Sequence, residues 1–297
     1  MRVIGEIIIE EINEILDAKE AGFTVKSVIT HKPEGDLHGL MLNSKDSNVS
    51  PTTYEQFPEY MSANEIADKL IDLYERVKVP TMDITCYLNK EYIHNNVLPR
   101  LVNKKYKDQL DKNNTFYIHW LDLLVMYYIT IPDFSNEEST GSITLTYDAL
   151  KSAEVDPASL CEIAVKNLED KVVCKSMFDT IKELSGLEMD EDPIGSPKMF
   201  VFTNTKMIQG SAVMLTNTFL EKVQMLFGDN ATIIPSSVHE LIVVENPQGM
   251  DFASMIKEVN ETQIAASEYL GDYPYEYVNG KIFCREDLGD PIEKDIL

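Results

Sequence analysis

The sequence predicts an α+β fold with mainly antiparallel sheet and helices packed on its faces. Strand-like runs are joined mostly by short turns, so hairpins outnumber the strand–helix–strand spacings that a parallel sheet needs. With 297 residues, 44% of them hydrophobic, the chain is long enough to bury a sizeable core. A disordered chain is therefore excluded, and we expect one large domain or two subdomains.

The first half of the sequence predicts a helix, a hairpin and further helices. Glutamates interrupt the apolar run in MRVIGEIIIEEINEILDAKEAG, which favours an amphipathic helix over a signal peptide. FTVKSVITH and HGLMLNS, separated by KPEGD, predict a hairpin. SANEIADKLIDLYERV predicts a helix in which Ser62 and Glu65 have the capping-box spacing. DITCYLN predicts a strand, and EYIHNNVLPRLVNKKYKDQL predicts a helical segment that breaks near Pro99.

The second half repeats the alternation of strands and helices. SITLTY predicts a strand, and Asp156 and Pro157 are the predicted N-cap and first residue of a helix over DPASLCEIAVKNLEDK. SMFDTIKELSG, TNTFLEKVQMLFG and FASMIKEVNETQ predict helices, while KMFVFTN, GSAVML, NATIIPSS and HELIVVEN predict strands. YEYVNGKIFCRE predicts a hairpin that turns at Asn279-Gly280. A weak boundary in DFSNEESTG, residues 133–141, separates subdomains 1–135 and 142–297 if there are two.

Cysteine spacing and hydropathy predict a cytoplasmic protein. The four cysteines, at 86, 161, 174 and 284, form no CxxC pair, so neither a zinc knuckle nor a disulfide framework is indicated. The most apolar stretch, FYIHWLDLLVMYYITI, is shorter than the roughly 20 residues of a membrane helix and contains His119 and Asp122. No export and no membrane span are expected.

The charge of the chain is strongly negative. It has 26 Lys and Arg against 50 Asp and Glu, a net charge of −24 at pH 7 that is spread over both halves. Such a surface repels the phosphates of nucleic acids and of anionic lipids, so we expect neither direct nucleic-acid binding nor membrane binding. A protein partner selected by charge would be basic.

Residues 233–246, IIPSSVHELIVVEN, place two serines, a histidine and a glutamate between two strand-like runs. In a strand over 237–245, Ser237 and His239 would face one side and Glu240 the other, so Glu240 could not orient His239. The stretch supplies no third catalytic member and no oxyanion hole. A bend between antiparallel strands is the simpler interpretation, and a non-catalytic binding surface is the second.

The patterns for metal and nucleotide binding are incomplete. Val243 stands where an HExxH zinc motif needs its second histidine. The loop DEDPIG, residues 190–195, begins like a calcium site, but Ile194 occupies the fifth position and Val201 the twelfth. No GxGxxG, GxxxxGK[ST] or GxSxG occurs. We therefore expect no metal and no other cofactor.

Several stretches are familiar in their order and spacing: HGLMLNSKDSNVSPTTYEQF, SANEIADKLIDLYE, SLCEIAVKNLEDK, MFVFTNTKMIQGSAVML and IIPSSVHELIVV. The most specific pieces are NVSPTTY, TN with GSAVML, and PSSVHE. Over residues 24–285 the chain resembles a family of proteins of roughly this length from Gram-positive gut bacteria, a domain of unknown function. The segment THKPEGDLHG departs from the family's usual Lys-Asn-Asn-Gly-like sequence before HG.

The resemblance implies a bacterial cytoplasmic protein and carries no known activity with it. It also places eight residues at the family's signature positions, and we take these as candidate binding residues: Ser50, Tyr54, Asn204, Gly210, Ser236, Ser237, His239 and Glu240.

Our leading hypothesis is a non-enzymatic binding or regulatory protein of a bacterial cell or its mobile elements that acts through a protein partner. In one variant the acidic surface imitates nucleic acid and occupies a basic groove of the partner. The alternative is a hydrolase whose site near His239 draws on Ser237 and a distant acid such as Asp122.

Overall fold

The computed structural model describes residues 6–285, with the exception of 33–34, 45, 48–49, 59, 78–82, 133–140, 186–197, 246–250 and 266. The chain forms two compact units, residues 1–86 and 87–297. The fold is α+β, as predicted, and each described strand pair is antiparallel. The subdomain boundary predicted within 133–141 falls mostly outside the described residues and stays a prediction.

The first unit is a three-stranded sheet with two helices. Its elements are α1 (Glu6–Ala18), β1 (Phe23–Lys32), β2 (Gly35–Ser44), β3 (Thr52–Thr53) and α2 (Ala63–Val77). β1 and β2 form the predicted hairpin, and β3 adds to β2. The predicted capping box is confirmed, because the Glu65 N–H donates to Ser62 Oγ at 3.3 Å and the Ser62 N–H to Glu65 Oε2 at 2.8 Å.

The core of the first unit combines apolar side chains from both helices and the hairpin. Ile12, Leu42 and Leu70 are fully buried in it, next to Leu16 and Val25. On α1 and α2 these positions recur at helical spacing, and on β1 and β2 they share one face of the sheet. The apolar pattern of the sequence therefore decides which face of the hairpin the helices cover.

The second unit contains two sheets and several helices. Its elements are α3 (Lys90–Asn96), β4 (Val97–Asn103), α4 (Lys107–Lys112), β5 (Tyr117–Trp120), β6 (Leu123–Ile131), β7 (Gly141–Thr144), α5 (Tyr147–Ser152), α6 (Pro157–Glu169), β8 (Val172–Ser176), α7 (Met177–Ser185), β9 (Met199–Asn204), α8 (Asn217–Phe227), β10 (Ala231–Ile234), β11 (Leu241–Glu245), α9 (Phe252–Thr262), β12 (Tyr275–Val278) and β13 (Lys281–Cys284). Short 3₁₀ helices span Ile84–Cys86 in the first unit, and Lys104–Tyr106 and Gly210–Leu215 in the second.

The sheets of the second unit have different orders. One has the order β4-β6-β5, with β7 also paired to β6, and the other has the order β13-β12-β10-β11-β9-β8. The β4-β6-β5 sheet is joined to the segment that precedes β12, because the side chain of Asn103 donates from Nδ2 to the Leu270 carbonyl at 2.8 Å. The hairpin predicted at Asn279-Gly280 is confirmed, with φ of 50° and 78° at these two residues.

The strand predicted over 83–89 is wrong, because its ends bond to their own neighbours. Asp83 Oδ1 accepts the Thr85 N–H at 3.0 Å, and Asn89 Oδ1 accepts the Tyr92 N–H at 2.9 Å to cap α3. Such local bonds compete with a strand ladder. A single 3₁₀ turn at Ile84–Cys86 forms instead.

The helical segment predicted over residues 91–110 is interrupted by a strand. Val97, Leu101 and Val102 are buried in β4, which pairs with β6 from Val97↔Ile129 to Asn103↔Leu123. Pro99 is tolerated because β4 pairs only with β6 among the described strands, and an edge strand can lack one N–H donor. The residue that suggested a break in a helix therefore marks an edge of a sheet.

The second half contains two further differences. GSAVML forms a 3₁₀ helix and not a strand, and β8, which was not predicted, follows α6 directly. The helix over Pro157–Glu169 is confirmed together with its cap, since Asp156 accepts N–H groups from Ala158 and Ser159. Within the described part of the chain, no helix is both long and apolar enough to cross a membrane.

Candidate functional site

The turn at residues 235–240, between β10 and β11, lies against the 3₁₀ helix Gly210–Leu215. Ser211 donates to the Val238 carbonyl from its N–H at 3.2 Å and from its hydroxyl at 2.8 Å. The Thr203 hydroxyl donates to the next carbonyl, that of His239, at 2.7 Å. Two stretches that the sequence marked separately are thus held together by hydrogen bonds to main-chain carbonyls.

Gly210 is required where these segments meet. A Cβ atom at this position would lie 2.0 Å from Thr203 Oγ1 and 2.3 Å from the His239 carbonyl oxygen. No side chain fits at such distances, so the glycine permits a close approach of the two backbones.

The loop at residues 205–209, which we call the 205–209 loop, is held by two of the candidate residues. Asn204 accepts the Lys206 N–H at 2.9 Å and donates from Nδ2 to the Ile208 carbonyl at 2.7 Å. The Gln209 N–H donates to Nδ1 of His239 at 3.2 Å. The asparagine and the histidine therefore fix both ends of the loop.

The 205–209 loop is strained and exposes apolar side chains. Met207 and Gln209 both have φ of 55°, a left-handed conformation that is uncommon outside glycine. Met207 is 66% exposed and Ile208 36% exposed. Strained residues of this kind persist only where the surrounding structure imposes them, and they cluster at binding sites.

The remaining residues of the turn satisfy its own backbone. Ser237 Oγ accepts the His239 N–H at 3.0 Å, and the Ser237 N–H donates to the Glu240 carbonyl at 3.2 Å. The strand starts at Leu241, two residues later than predicted, and residues 235–240 form the bend between antiparallel strands that was the simpler interpretation of the sequence. The Ser236 hydroxyl reaches Glu240 Oε1 at 3.4 Å, and no described hydrogen bond joins His239 to a carboxylate.

Asp122, the distant acid of the hydrolase hypothesis, bonds elsewhere. It is buried in the turn between β5 and β6 and accepts a hydrogen bond of 2.8 Å from the Tyr275 hydroxyl. Burial raises the pKa of Asp122, and the hydrogen bonds from Tyr275 and Cys284 partly oppose that rise. Its described hydrogen bonds thus go to β12 and β13 and not to the imidazole of His239.

Ser50 and Tyr54 belong to the first unit, whereas the other six candidate residues belong to the second. The Tyr54 hydroxyl donates to Thr30 Oγ1 at 2.8 Å, and its ring covers Gly39, where a Cβ atom would lie 2.9 Å from Tyr54 Cδ1. Ser50 is half-buried just before β3. These contacts of Tyr54 hold the residue that follows β3 against the β1–β2 hairpin, while β3 itself pairs with β2 at the edge of the sheet.

A groove of about 720 Å³ lies between α6 and α8. We call it the α6–α8 groove. Its lining comes from α6, from the first turns of α8, and from the side chains of Trp120, Leu121, Met214, Leu215 and Ile282. Met214 and Leu215 end the 3₁₀ helix whose start is held by the 235–240 turn. The turn therefore also positions part of the groove.

Glu169 joins the two helices of the groove. Its Oε1 accepts the Asn217 N–H at 2.8 Å and its Oε2 accepts the Thr218 N–H at 2.9 Å. A carboxylate at the N-terminus of a helix satisfies unpaired donors and interacts favourably with the helix dipole. The last residue of α6 thus fixes the first turn of α8, and it also lines the groove.

A second cavity, of about 650 Å³, lies beside α9. Lys105 Nζ lies 3.4 Å from the centroid of the Tyr269 ring, and the Tyr269 hydroxyl donates to Asp272. Burial lowers the pKa of Lys105, and Asp272 opposes this. Lys257 and Glu261 also line the cavity, so its charges balance and it selects neither sign of ligand.

The chain was compared with family models, curated proteins and solved structures. A model described as a family of unknown function, DUF5688, matches residues 5–279. The chain belongs to this family. No curated protein and no solved structure matches it. The family match includes the 205–209 loop, the 235–240 turn and nearly all of the groove, and it assigns no activity to any of them.

Clusters of possible metal ligands were sought among the described residues. No group of three His, Cys, Asp or Glu side chains there could hold a metal ion. The calcium-like loop at 190–195 lies outside the described residues.

Sequence reasoning missed the α6–α8 groove. Its lining residues on α6 recur at helical spacing, which indicates a buried face as readily as a groove. One available signal was the single tryptophan, Trp120, in a short strand next to a turn. The second was the acidic residue at the end of α6, because a glutamate in a last turn opposes its own helix dipole and suggests a partner elsewhere.

Proposed function

We propose that this protein is a non-enzymatic binding or regulatory protein that contacts a protein partner through the 205–209 loop. The observation that carries the proposal is the exposure of Met207 and Ile208 on a loop with two left-handed residues. Asn204 and His239 hold that loop in place. A rigid loop that presents apolar side chains to water suits a surface that another protein covers.

The energetics of the loop support a binding role. Each left-handed non-glycine residue costs about 1 kcal/mol or more, so the loop retains a conformation that the rest of the fold must offset. Met207 gains little burial from this conformation within the chain, since 66% of it remains exposed, and Ile208 still leaves 36% of its surface in water. Burial against a partner would recover roughly 25 cal/mol for each Å² of their apolar surface.

The charge and the cysteines support two further parts of the proposal. A net charge of −24 favours a basic partner, and it supports the variant in which the protein imitates nucleic acid. The cysteines at 86, 161, 174 and 284 are free thiols, as in a reducing cytoplasm. We therefore propose a cytoplasmic protein of a bacterial cell or its mobile elements that binds neither nucleic acid nor membrane directly.

The hydrolase alternative has less support. Nδ1 of His239 accepts a main-chain N–H, and among the described residues no carboxylate bonds to the imidazole to orient it as a general base. Ser237 Oγ in turn accepts the His239 N–H, which is a contact typical of a serine that stabilises a turn.

The test compares two double variants as baits in a lysate of the source cell. M207S/I208N removes the apolar surface of the loop, while M225S/V259N removes a similar area elsewhere, since Met225 is 76% and Val259 44% exposed. We expect the wild type and the control to capture the same protein and the loop variant to lose it. Equal capture by all three baits would reject the loop as the contact surface.

The salt dependence of the same capture tests the charge. A basic partner that binds the acidic surface through its nucleic-acid site should be released as the salt concentration rises, because salt screens the electrostatic attraction. A partner that stays bound at high salt would reject the mimicry variant and leave the apolar loop contact in place.

A further inference from the structure

The α6–α8 groove is elongated along one helix. Its lining on α6 runs through consecutive turns, from Ala158 through Cys161 and Val165 to Glu169. At 1.5 Å per residue this stripe is about 16 Å long. A helix of about three turns has this length, whereas a compact small molecule would fill only part of it.

The bottom of the groove is apolar. Trp120, Leu215 and Ile282 are half-buried there, next to the buried side chains of Leu121 and Met214. Methionine and aromatic side chains are enriched where proteins receive apolar anchors, because they offer large and adaptable contact area. The groove therefore has the surface that an amphipathic segment needs.

The rim of the groove is acidic. Glu162, Glu169 and Glu221 line it against one cation, Lys166. Glu169 already accepts two N–H groups of α8, but Glu162 and Glu221 are exposed, and neither has a described ion-pair partner. An acidic partner would be repelled by this rim and a basic one attracted.

We infer that the α6–α8 groove binds a basic amphipathic helix of a partner protein. Its apolar stripe would lie on Trp120 and the side chains around it, and its Lys or Arg side chains would pair with Glu162 and Glu221. This mode of recognition reads apolar anchors on successive turns of the bound helix. The inference goes beyond the proposed function, because no residue of the 205–209 loop lines the groove.

The chain provides its own reporter for the test. Trp120 is the single tryptophan of the sequence, so selectively excited fluorescence of the intact protein monitors the groove alone. Three synthetic helical peptides of equal length are titrated: an amphipathic Leu/Lys peptide, the same composition scrambled to remove its apolar face, and an amphipathic Leu/Glu peptide. We expect a saturable change in emission with the first peptide only.

Two charge-reversal variants then locate the binding. E162K/E221K reverses the rim, and E14K/E258K makes the same change in net charge at exposed glutamates outside the groove. We expect the rim variant to bind the Leu/Lys peptide about tenfold more weakly or worse, and the control to remain within about twofold of the wild type.

Four results would overturn the inference. Equal binding of the scrambled basic peptide would show attraction to net charge without use of the apolar floor. Binding of the Leu/Glu peptide, or equal weakening in both variants, would show that the rim does not select the ligand. No response to any peptide would reject the groove as a helix site. None of these results bears on the 205–209 loop, whose test uses other residues and a captured protein.

Discussion

The hydroxyl of Tyr275, the first residue of β12, donates a hydrogen bond of 2.8 Å to the buried carboxyl group of Asp122 in the β5–β6 turn. Burial is the largest influence on this acid and raises its pKa above the ordinary value of 3.8. The charged form is therefore disfavoured in the folded chain relative to the unfolded one.

The pH dependence of stability should reveal this group through the variant Asp122→Asn. Between pH 3.8 and the raised pKa the folded chain binds the proton and the unfolded chain does not, so the wild type loses stability as the pH rises through this window. The amide keeps an acceptor for Tyr275 and carries no charge. We expect the free energy of unfolding of D122N to increase relative to the wild type as the pH rises.

Urea titrations at several pH values give the free energy of unfolding of the wild type and of D122N, and the difference between these two values is compared across pH. Exposed carboxyl groups with lowered pKa, such as those of Glu65 and Asp251, act in the opposite direction but are common to both proteins. If the free energies of unfolding of D122N and the wild type differ by a constant amount from pH about 4 to about 7, the pKa of Asp122 is not raised in the folded chain.

Replacement of Gly210 by alanine should be severe. The new Cβ atom would overlap Thr203 Oγ1 and the carbonyl oxygen of His239. Because the second contact is with backbone, we expect a loss of about 3 kcal/mol or more in the free energy of unfolding. Gly271→Ala is the matched control: its nearest neighbour lies at 3.5 Å, so a change within about 1 kcal/mol is expected. Similar losses in both would mean that Gly210 has no special close approach.

Removal of the His239 side chain should loosen the 205–209 loop. In His239→Ala the Gln209 N–H loses its acceptor, and we expect a loss of about 1 kcal/mol with faster amide hydrogen exchange confined to the loop. His119→Ala, at an exposed position of β5, serves as the control. Unchanged exchange in the loop of H239A would show that the imidazole does not hold it.

The contact between α6 and α8 should be measurable through Glu169. In Glu169→Ala the first two N–H groups of α8 lose their acceptor, and we expect a loss of about 1 to 2 kcal/mol in the free energy of unfolding by urea. Glu162→Ala, at an exposed position of the same helix that accepts no described N–H group of α8, should change it by less than about 0.5 kcal/mol. Equal effects of the two substitutions would contradict a specific cap.

Local signals predicted much of the fold. Three short signals act within a few residues of one another, so neighbouring positions in the sequence are enough to predict them. They are the capping box of Ser62 and Glu65, the helix start at Asp156 and Pro157, and the turn at Asn279 and Gly280. The apolar faces of α1, α2 and the first hairpin were predicted for the same reason, since their periodicity is local.

Features that depend on distant contacts were not predicted. GSAVML is as apolar as a strand, but in the structure it forms a 3₁₀ helix that Ser211 anchors to the carbonyl of Val238, a contact with a residue 27 positions away. The candidate residues Asn204 and Gly210 came from family resemblance alone, and His239 from the pattern of residues 233–246 as well. Only the structure shows that Asn204 and His239 hold one loop and that Gly210 lies next to it. The exposure of Met207 and Ile208 was not predicted, because these two residues lie in a short loop without the periodic pattern that separates buried from exposed positions.

The long-range hydrogen bonds of the second unit can form only after both of their residues have been synthesised on the ribosome. Asn103 and Leu270 are separated by 167 positions, and Asp122 and Tyr275 by 153. At a synthesis rate of about 5 to 20 residues per second, the strand that carries Tyr275 emerges roughly 8 to 30 s after the turn that carries Asp122. During that interval Asp122 has no Tyr275 hydroxyl to accept from, so this link between the two sheets of the second unit forms only after β12 has been synthesised.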